Sequence, residues 1–240
     1  LQTVFTTALA NGLENLELLG AGSIDGTGNA ADNLIRGNAG GNILDGKAGF
    51  DTLIGAGGDD LYIVDSAGDS VVEDLDAGFD VVKSSVSFSL GDGVENLELT
   101  GAAAIAATGN GLDNVLTGNA GANQLDGSSG ADTMRGGDGD DLYAIDEAGD
   151  SVVELPGGGI DTVVARISFV LGANVENLLL DDGAAVTGTG NSLNNLITGN
   201  SEANTLDGAG GADLLQGRGG NDTYIVDAAD TVLELTNEGI

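Results

Sequence analysis

Large apolar residues recur singly along the chain at intervals of nine: Leu44, Leu53 and Tyr62 follow one another in the first third. Each is the middle of a three-residue run such as Thr52-Leu53-Ile54, and glycine-rich segments separate the runs. Such a run predicts a short strand whose central side chain points inward. A nine-residue turn-plus-strand cannot bury one apolar side chain by itself. Successive coils must stack, so that these residues form a continuous aliphatic row. A second pattern follows, in which Leu97 and Leu99 alternate with Asn96 and Glu98, as in a half-buried strand. Segments 86–90, 94–99 and 103–107 read as longer strands, giving eight strands and about four coils per repeat.

The repeat itself is long. Residues 59–73 read DDLYIVDSAGDSVVE and residues 140–154 read DDLYAIDEAGDSVVE. A third copy at 221–234, NDTYIVDAADTVLE, lacks one residue before Asp230. LENLEL at 13–18, VENLEL at 94–99 and VENLLL at 175–180 keep the same 81-residue spacing. The expectation is one array, 1–240, of three units: 1–81, 82–162 and 163–240. Ile240 falls almost in phase with Leu1, which predicts a continued array or head-to-tail self-association through uncapped strand edges.

Six nonapeptides are strict. In 46–54, 55–63, 127–135, 136–144, 208–216 and 217–225, Gly holds the first and fourth places, Asp the sixth and a large apolar residue the eighth. Two looser nonapeptides precede each pair and carry Asn at the sixth place: Asn33, Asn42, Asn114, Asn123, Asn195 and Asn204. Gly at places one and four is expected to let the backbone enter positive φ and coil tightly. Stacked turns bring sixth-place carboxylates to about the ~4.8 Å spacing of neighbouring strands. Like charges so close repel unless a cation lies between them. Carboxylate and turn-carbonyl oxygens, without nitrogen or sulfur, suit Ca²⁺ better than Mg²⁺ or Zn²⁺.

At these residues the chain resembles the RTX (repeats-in-toxin) family, whose nonapeptide is GGxGxDxUx. The resemblance implies an all-β fold, a right-handed parallel β-roll or β-solenoid, in which each turn binds Ca²⁺ jointly with the turn one coil away. Carried over, Asp51 shares ions with the turns of Asn33 and Asp69, and Asp60 with those of Asn42 and Asp80. The second unit contributes Asp132, Asp141, Asp150 and Asp161, and the third Asp213, Asp222 and Asp230. Up to about four Ca²⁺ per unit are expected. At the six Asn, hydrogen-bonded ladders compete with calcium ligation. Tyr62, Tyr143 and Tyr224 read as core residues, whereas Glu73, Glu154, Glu234 and the Glu95-Asn96 pairs read as surface groups.

Charge and composition narrow the function. There are 39 Asp and Glu against 6 Lys and Arg, a formal net charge of -33, with no His and no Cys. That excess excludes nucleic acid, which needs a cationic face, and opposes docking on an anionic membrane leaflet. No apolar run approaches the ~20 residues of a membrane-spanning helix. Paired carboxylates could suggest a glycosidase, but an active site does not normally recur three times at one spacing. A non-enzymatic, calcium-dependent array of a secreted bacterial protein is expected, folding outside the cell as an adhesin, surface layer or filament. The alternative is the folding and secretion module of a secreted protease, lipase or epimerase.

Overall fold

A computed structural model describes residues 1–75, 77–183 and 186–234; residues 235–240, on which the expectation of in-phase continuation rests, lie outside them. The described residues form 27 strands of two to four residues and no helix. Every pairing is parallel and joins a strand to the next but one, so each coil contributes one strand to each of two facing sheets. The fold is a parallel β-solenoid, as expected. Segments 86–90, 94–99 and 103–107 form shorter strands than expected: Phe88–Ser89, Asn96–Leu99 and Ala106–Thr108.

Coils built from nonapeptides are 18 residues long, as in the pairs Leu34↔Thr52 and Thr52↔Ser70. Outside them the coil length varies, with Leu61 pairing Val81 and Val81 pairing Asn96. Insertions and deletions are absorbed in the turns, because slipping a strand by one residue would turn its apolar side chain out to water. Inward residues therefore stay in column. Leu44, Tyr62, Val82, Leu97, Leu116 and Met134 stack along one sheet and are essentially fully buried. Ala107, Leu125, Tyr143, Val163, Leu178, Ile197 and Leu215 form the other long column. The eighth-place residues thus make two facing rows, with Leu53 opposite Leu44 and Tyr62 instead of between them.

Among the described residues, each repeat contains nine strands, not eight, hence four and a half coils. Among the shortest are two-residue strands, Phe88–Ser89 in one copy, inside the segment 86–90 already expected as strand, and Phe169–Val170 in the next. A turn precedes the first of these, closed where the Ser84 hydroxyl bonds both the N–H and the carbonyl of Val86. An odd strand number has a geometric consequence. Thr52–Ile54 lies in one sheet, its equivalent Thr133–Arg135 lies in the facing one, and Leu214–Gln216 returns to the first side. Successive repeats are related by a half-turn about the solenoid axis. Turns of one kind therefore alternate between the two edges.

Candidate metal centre

The sixth-place carboxylates are joined by hydrogen bonds into ladders along the edges. On one edge the Asn42 N–H donates to Asp60 Oδ1 at 2.6 Å, Asp60 N–H to Asp80 Oδ1 at 2.8 Å, and Asp80 N–H to Glu95 Oε2 at 2.8 Å. The Asn114 amide then reaches the Glu95 carbonyl, and Asn114 N–H and Asp132 N–H continue to Asp132 and Asp150. The half-turn between repeats thus joins the 42–60–80–95 ladder to the 114–132–150 ladder on one edge. The opposite edge carries 123–141–161–176 joined to 195–213–230 in the same way. Shorter ladders link Asn33, Asp51 and Asp69, and Asn204 with Asp222. Asp51 and Asp60 are therefore hydrogen-bonded to the turns with which they are expected to share ions.

Only one oxygen of each central carboxylate is used. The Oδ2 atoms of Asp51, Asp60, Asp80, Asp132, Asp141, Asp161, Asp213 and Asp222 are buried and have no hydrogen-bond partner. Leaving an ionised oxygen in such a place is costly. None of the ion pairs among the described residues relieves it, because Lys47, Lys83 and Arg166 pair with Asp45, Glu98 and Asp181. Burial pushes Asp60 up to about 7 and Asp80, Asp132 and Asp141 up to about 6. The same desolvation raises Asp51, Asp161, Asp213 and Asp222. Eight hard, buried, unpartnered oxygens beyond the reach of any protein cation fit a divalent metal such as Ca²⁺.

The glycines make room for these oxygens in a way the sequence did not suggest. The fourth-place residues do adopt positive φ, as at Gly58 (91°). First-place residues do not. A Cβ on Gly55 would instead collide with Asp60 Oδ2 of its own turn. Positive φ falls on place two: Lys47, Ala56, Ser128, Gly137, Ala209 and Arg218 all lie between 63° and 98°. Three of these are supported locally, since Asp45, Asp126 and Asp207 accept the N–H of Lys47, Ser128 and Ala209.

The ladder ends differ from the centres. Asp69 Oδ2 accepts the N–H groups of Asp65 and Ser66, Asp150 Oδ2 those of Asp146 and Glu147, and Asp230 Oδ2 that of Asp227. These three carboxylates have both oxygens engaged.

The Asn turns are of another kind. No residue of 28–33, 37–42, 109–114, 118–123, 190–195 or 199–204 adopts positive φ. Each sixth-place oxygen accepts the N–H of a second Asn at place two, as in Asn110 N–H to Asn114 Oδ1 at 2.7 Å. The side-chain amide of that second Asn reaches back one coil. Asn29 Nδ2 donates to the carbonyls of Ala10 and Leu13, Asn110 Nδ2 to Gly91 and Val94, and Asn191 Nδ2 to Gly172 and Val175. The sixth-place amides of Asn33, Asn42, Asn114, Asn123, Asn195 and Asn204 likewise donate to carbonyls one coil back. An NH₂ group thus gathers carbonyl oxygens that a cation could otherwise gather.

Four glutamates expected at the surface belong to the site. Glu95 and Glu176 are half-buried rungs of the ladders. Glu154 is buried and Glu73 half-buried, and the hydroxyls of Tyr143 and Tyr62 donate to them. Tyr62 and Tyr143 do fill the core, but their polar ends reach the ladder. Tyr224 donates to Glu234, which is exposed. Desolvation pushes Glu154 up to about 7. Because a coil is 18 residues, residue 73 stacks on Gly55 and residue 154 on Gly136, and that arithmetic was available in the sequence.

No helix among the described residues is long and apolar enough to cross a membrane. The family model for the RTX calcium-binding nonapeptide repeat matches in four copies, over residues 27–62, 36–71, 108–143 and 189–224. No curated protein matches the chain.

Proposed function

Because the chain belongs to the RTX family of calcium-binding nonapeptide-repeat proteins, we propose that it is a non-enzymatic, calcium-folded structural array of a secreted bacterial protein, of the adhesin, surface-layer or filament type. The observation that carries this reading is the row of eight buried, unpartnered carboxylate oxygens in a chain of net charge -33. Asp51, Asp60, Asp80, Asp132, Asp141, Asp161, Asp213 and Asp222 hold the ions, with Asp69, Asp150 and Asp230 closing the ladders. A bound Ca²⁺ neutralises and bridges these carboxylates. The chain supplies the rest: it fixes one oxygen of each Asp on a backbone N–H, aims the other inward and keeps water out.

Metal binding and folding are then one event. In a low-calcium compartment the Asp turns repel one another and the chain stays open; where calcium is millimolar they close. A Kd on the order of 10⁻⁴ to 10⁻³ M suits such an extracellular module. The test is circular dichroism in excess chelator, followed by addition of Ca²⁺ or Mg²⁺. The β signal is expected to fall in chelator and to return with Ca²⁺ but far less with Mg²⁺. A spectrum indifferent to chelation overturns the reading.

A further inference from the structure

At two places the first-place glycine of a strict nonapeptide is followed, one coil later, by a glutamate. The Gly55 N–H bonds the Val72 carbonyl, which sets Glu73 directly over Gly55. Glu154 stands over Gly136, with Oε1 beside the position a Cβ on that glycine would take. Each glutamate turns its carboxylate back into the space above the glycine Cα. A Cβ on Gly55 would strike Glu73 Oε1, Asp60 Oδ2 and the Tyr62 hydroxyl together, and one on Gly136 would strike Glu154 Oε1, Asp141 Oδ2 and the Tyr143 hydroxyl. Asp80 and Asp161 complete the sets. In each, one carboxylate oxygen from all three acids lies within 4.8 Å of the others.

These are more than crowded acids. Asp60 is 2% exposed and Asp80 0%, and the Oδ2 atom of each is unpartnered. Asp141 (2%) and Asp161 (0%) repeat the arrangement. Three carboxylates around one point, with a phenol bonded to one of them and no Lys or Arg paired with them, form a set of hard oxygens that a divalent cation of calcium's size can bridge. The ordinary turn sites have only sixth-place side chains and backbone to offer. Here a third carboxylate is added, and the tyrosine fixes its direction.

We propose that Asp60–Glu73–Asp80 and Asp141–Glu154–Asp161 are two cation sites of a separate, tighter class, in which a glutamate from the following coil is a ligand and Tyr62 or Tyr143 is its positioning residue. This rests on the calcium reading above and adds to it ligands that the nonapeptide pattern does not contain. The third copy, Asp222 with Tyr224 and Glu234, brings no third carboxylate to the group among the described residues and is not included.

The experiment compares the full chain with the double variant Glu73→Gln/Glu154→Gln, counting bound Ca²⁺ by calorimetry and elemental analysis. Tb³⁺ serves as a luminescent substitute excited through tyrosine, since the chain has no Trp. The variant is expected to bind two fewer ions, to lose the tightest step of the titration and most tyrosine-excited Tb³⁺ emission, and still to fold in excess calcium. An unchanged ion count with the tight step intact overturns the proposal. If the double variant does not fold, Tyr62→Phe/Tyr143→Phe decides. That pair is expected to weaken the tightest step on the order of tenfold, and unchanged affinity again overturns the proposal. A parent chain that binds no calcium and folds in chelator would instead defeat the calcium reading itself.

Discussion

The Asp turns and the Asn turns occupy the same edges of the same solenoid, yet they solve one electrostatic problem in opposite ways. Wherever a coil stacks on the next, turn oxygens face one another across the strand spacing and need something positive between them. The Asn turns carry it covalently: Asn110 Nδ2 bridges the carbonyls of Gly91 and Val94, and no residue of 109–114 has positive φ. The Asp turns have no such group. Their second place is swung into positive φ and their Oδ2 atoms stay unpartnered. One kind of turn is complete as a polypeptide. The other leaves an oxygen unpartnered, a place the proposed ion would fill. Each repeat places two Asn turns ahead of its two strict Asp turns, so an amide-bonded stretch adjoins each stretch of unpartnered carboxylates.

Exchanging side chains between the two kinds gives the largest effect. Asp132→Ala or Asp141→Ala removes both the ladder acceptor and the inward oxygen, and is expected to weaken calcium binding and leave folding incomplete at calcium levels that fold the parent chain. Asn114→Ala removes two amide bonds and one acceptor. It is expected to lower stability by about 1–3 kcal/mol, with little change in calcium affinity. Calcium titrations of the three variants, followed by circular dichroism, check the contrast. An affinity loss for Asn114→Ala as large as that for Asp132→Ala would make the two kinds of turn equivalent and break the comparison.

Proton concentration separates the two kinds more gently. Asp60 and Glu154 lie at about 7 and Asp80, Asp132 and Asp141 at about 6, all raised chiefly by burial. A carboxyl with a raised folded pKa binds more protons in the folded state than in the unfolded one. The stability it gives is therefore present below the ordinary carboxylate pKa of ~4 and is lost as pH rises through the folded value. Without calcium, the chain is expected to recover more β structure by circular dichroism at pH 5 than at pH 8, where it stays open. With calcium the dependence reverses, because the metal must displace those protons. Hydrogen exchange should place the change in residues 46–60 and 127–141 and not in 28–42 or 109–123. A calcium-free chain with equal β content at both pH values would count against the raised carboxylates.

The sequence made the sixth-place Asp legible because a nonapeptide fixes both the turn and its distance from the inward residue. The ladders followed, since two nonapeptides make one coil. The count of nine strands was less legible, although segment 86–90 read as a strand. Outside the nonapeptides the coil length varies, with Leu61 pairing Val81 and Val81 pairing Asn96, so no period fixes how many strands make a repeat. Without that count the half-turn between repeats is invisible, and with it the joining of the 42–60–80–95 ladder to 114–132–150. Glu73 and Glu154 were missed because polarity alone sends a glutamate outward. Only the 18-residue register shows that they replace a glycine over a glycine, where the free space points inward.

The smallest effect lies at the second place of the Asp turns. Ala56 has φ 83°, and the residue at the matching place of the second repeat, Gly137, has φ 98°. Lys47, Ser128 and Ala209 adopt 63–65° and are steadied by a preceding Asp that accepts their N–H. Ala56 has Ile54 in that position and no such acceptor. An L-residue in this region costs about 1–2 kcal/mol, and glycine gives back about 0.4–1 kcal/mol through the greater freedom of its unfolded chain. Ala56→Gly is therefore expected to stabilise the calcium-loaded fold by about 0.5–1 kcal/mol, read as a higher urea midpoint at saturating calcium. Gly137→Ala should move the midpoint the other way and somewhat further, since its new Cβ would also stand 3.1 Å from the Asn119 carbonyl oxygen. A loss of stability in Ala56→Gly would mean that the turn is held by contacts of the Ala56 methyl and not by its backbone, and the second place would no longer distinguish the ion-dependent turns from the amide-bonded ones.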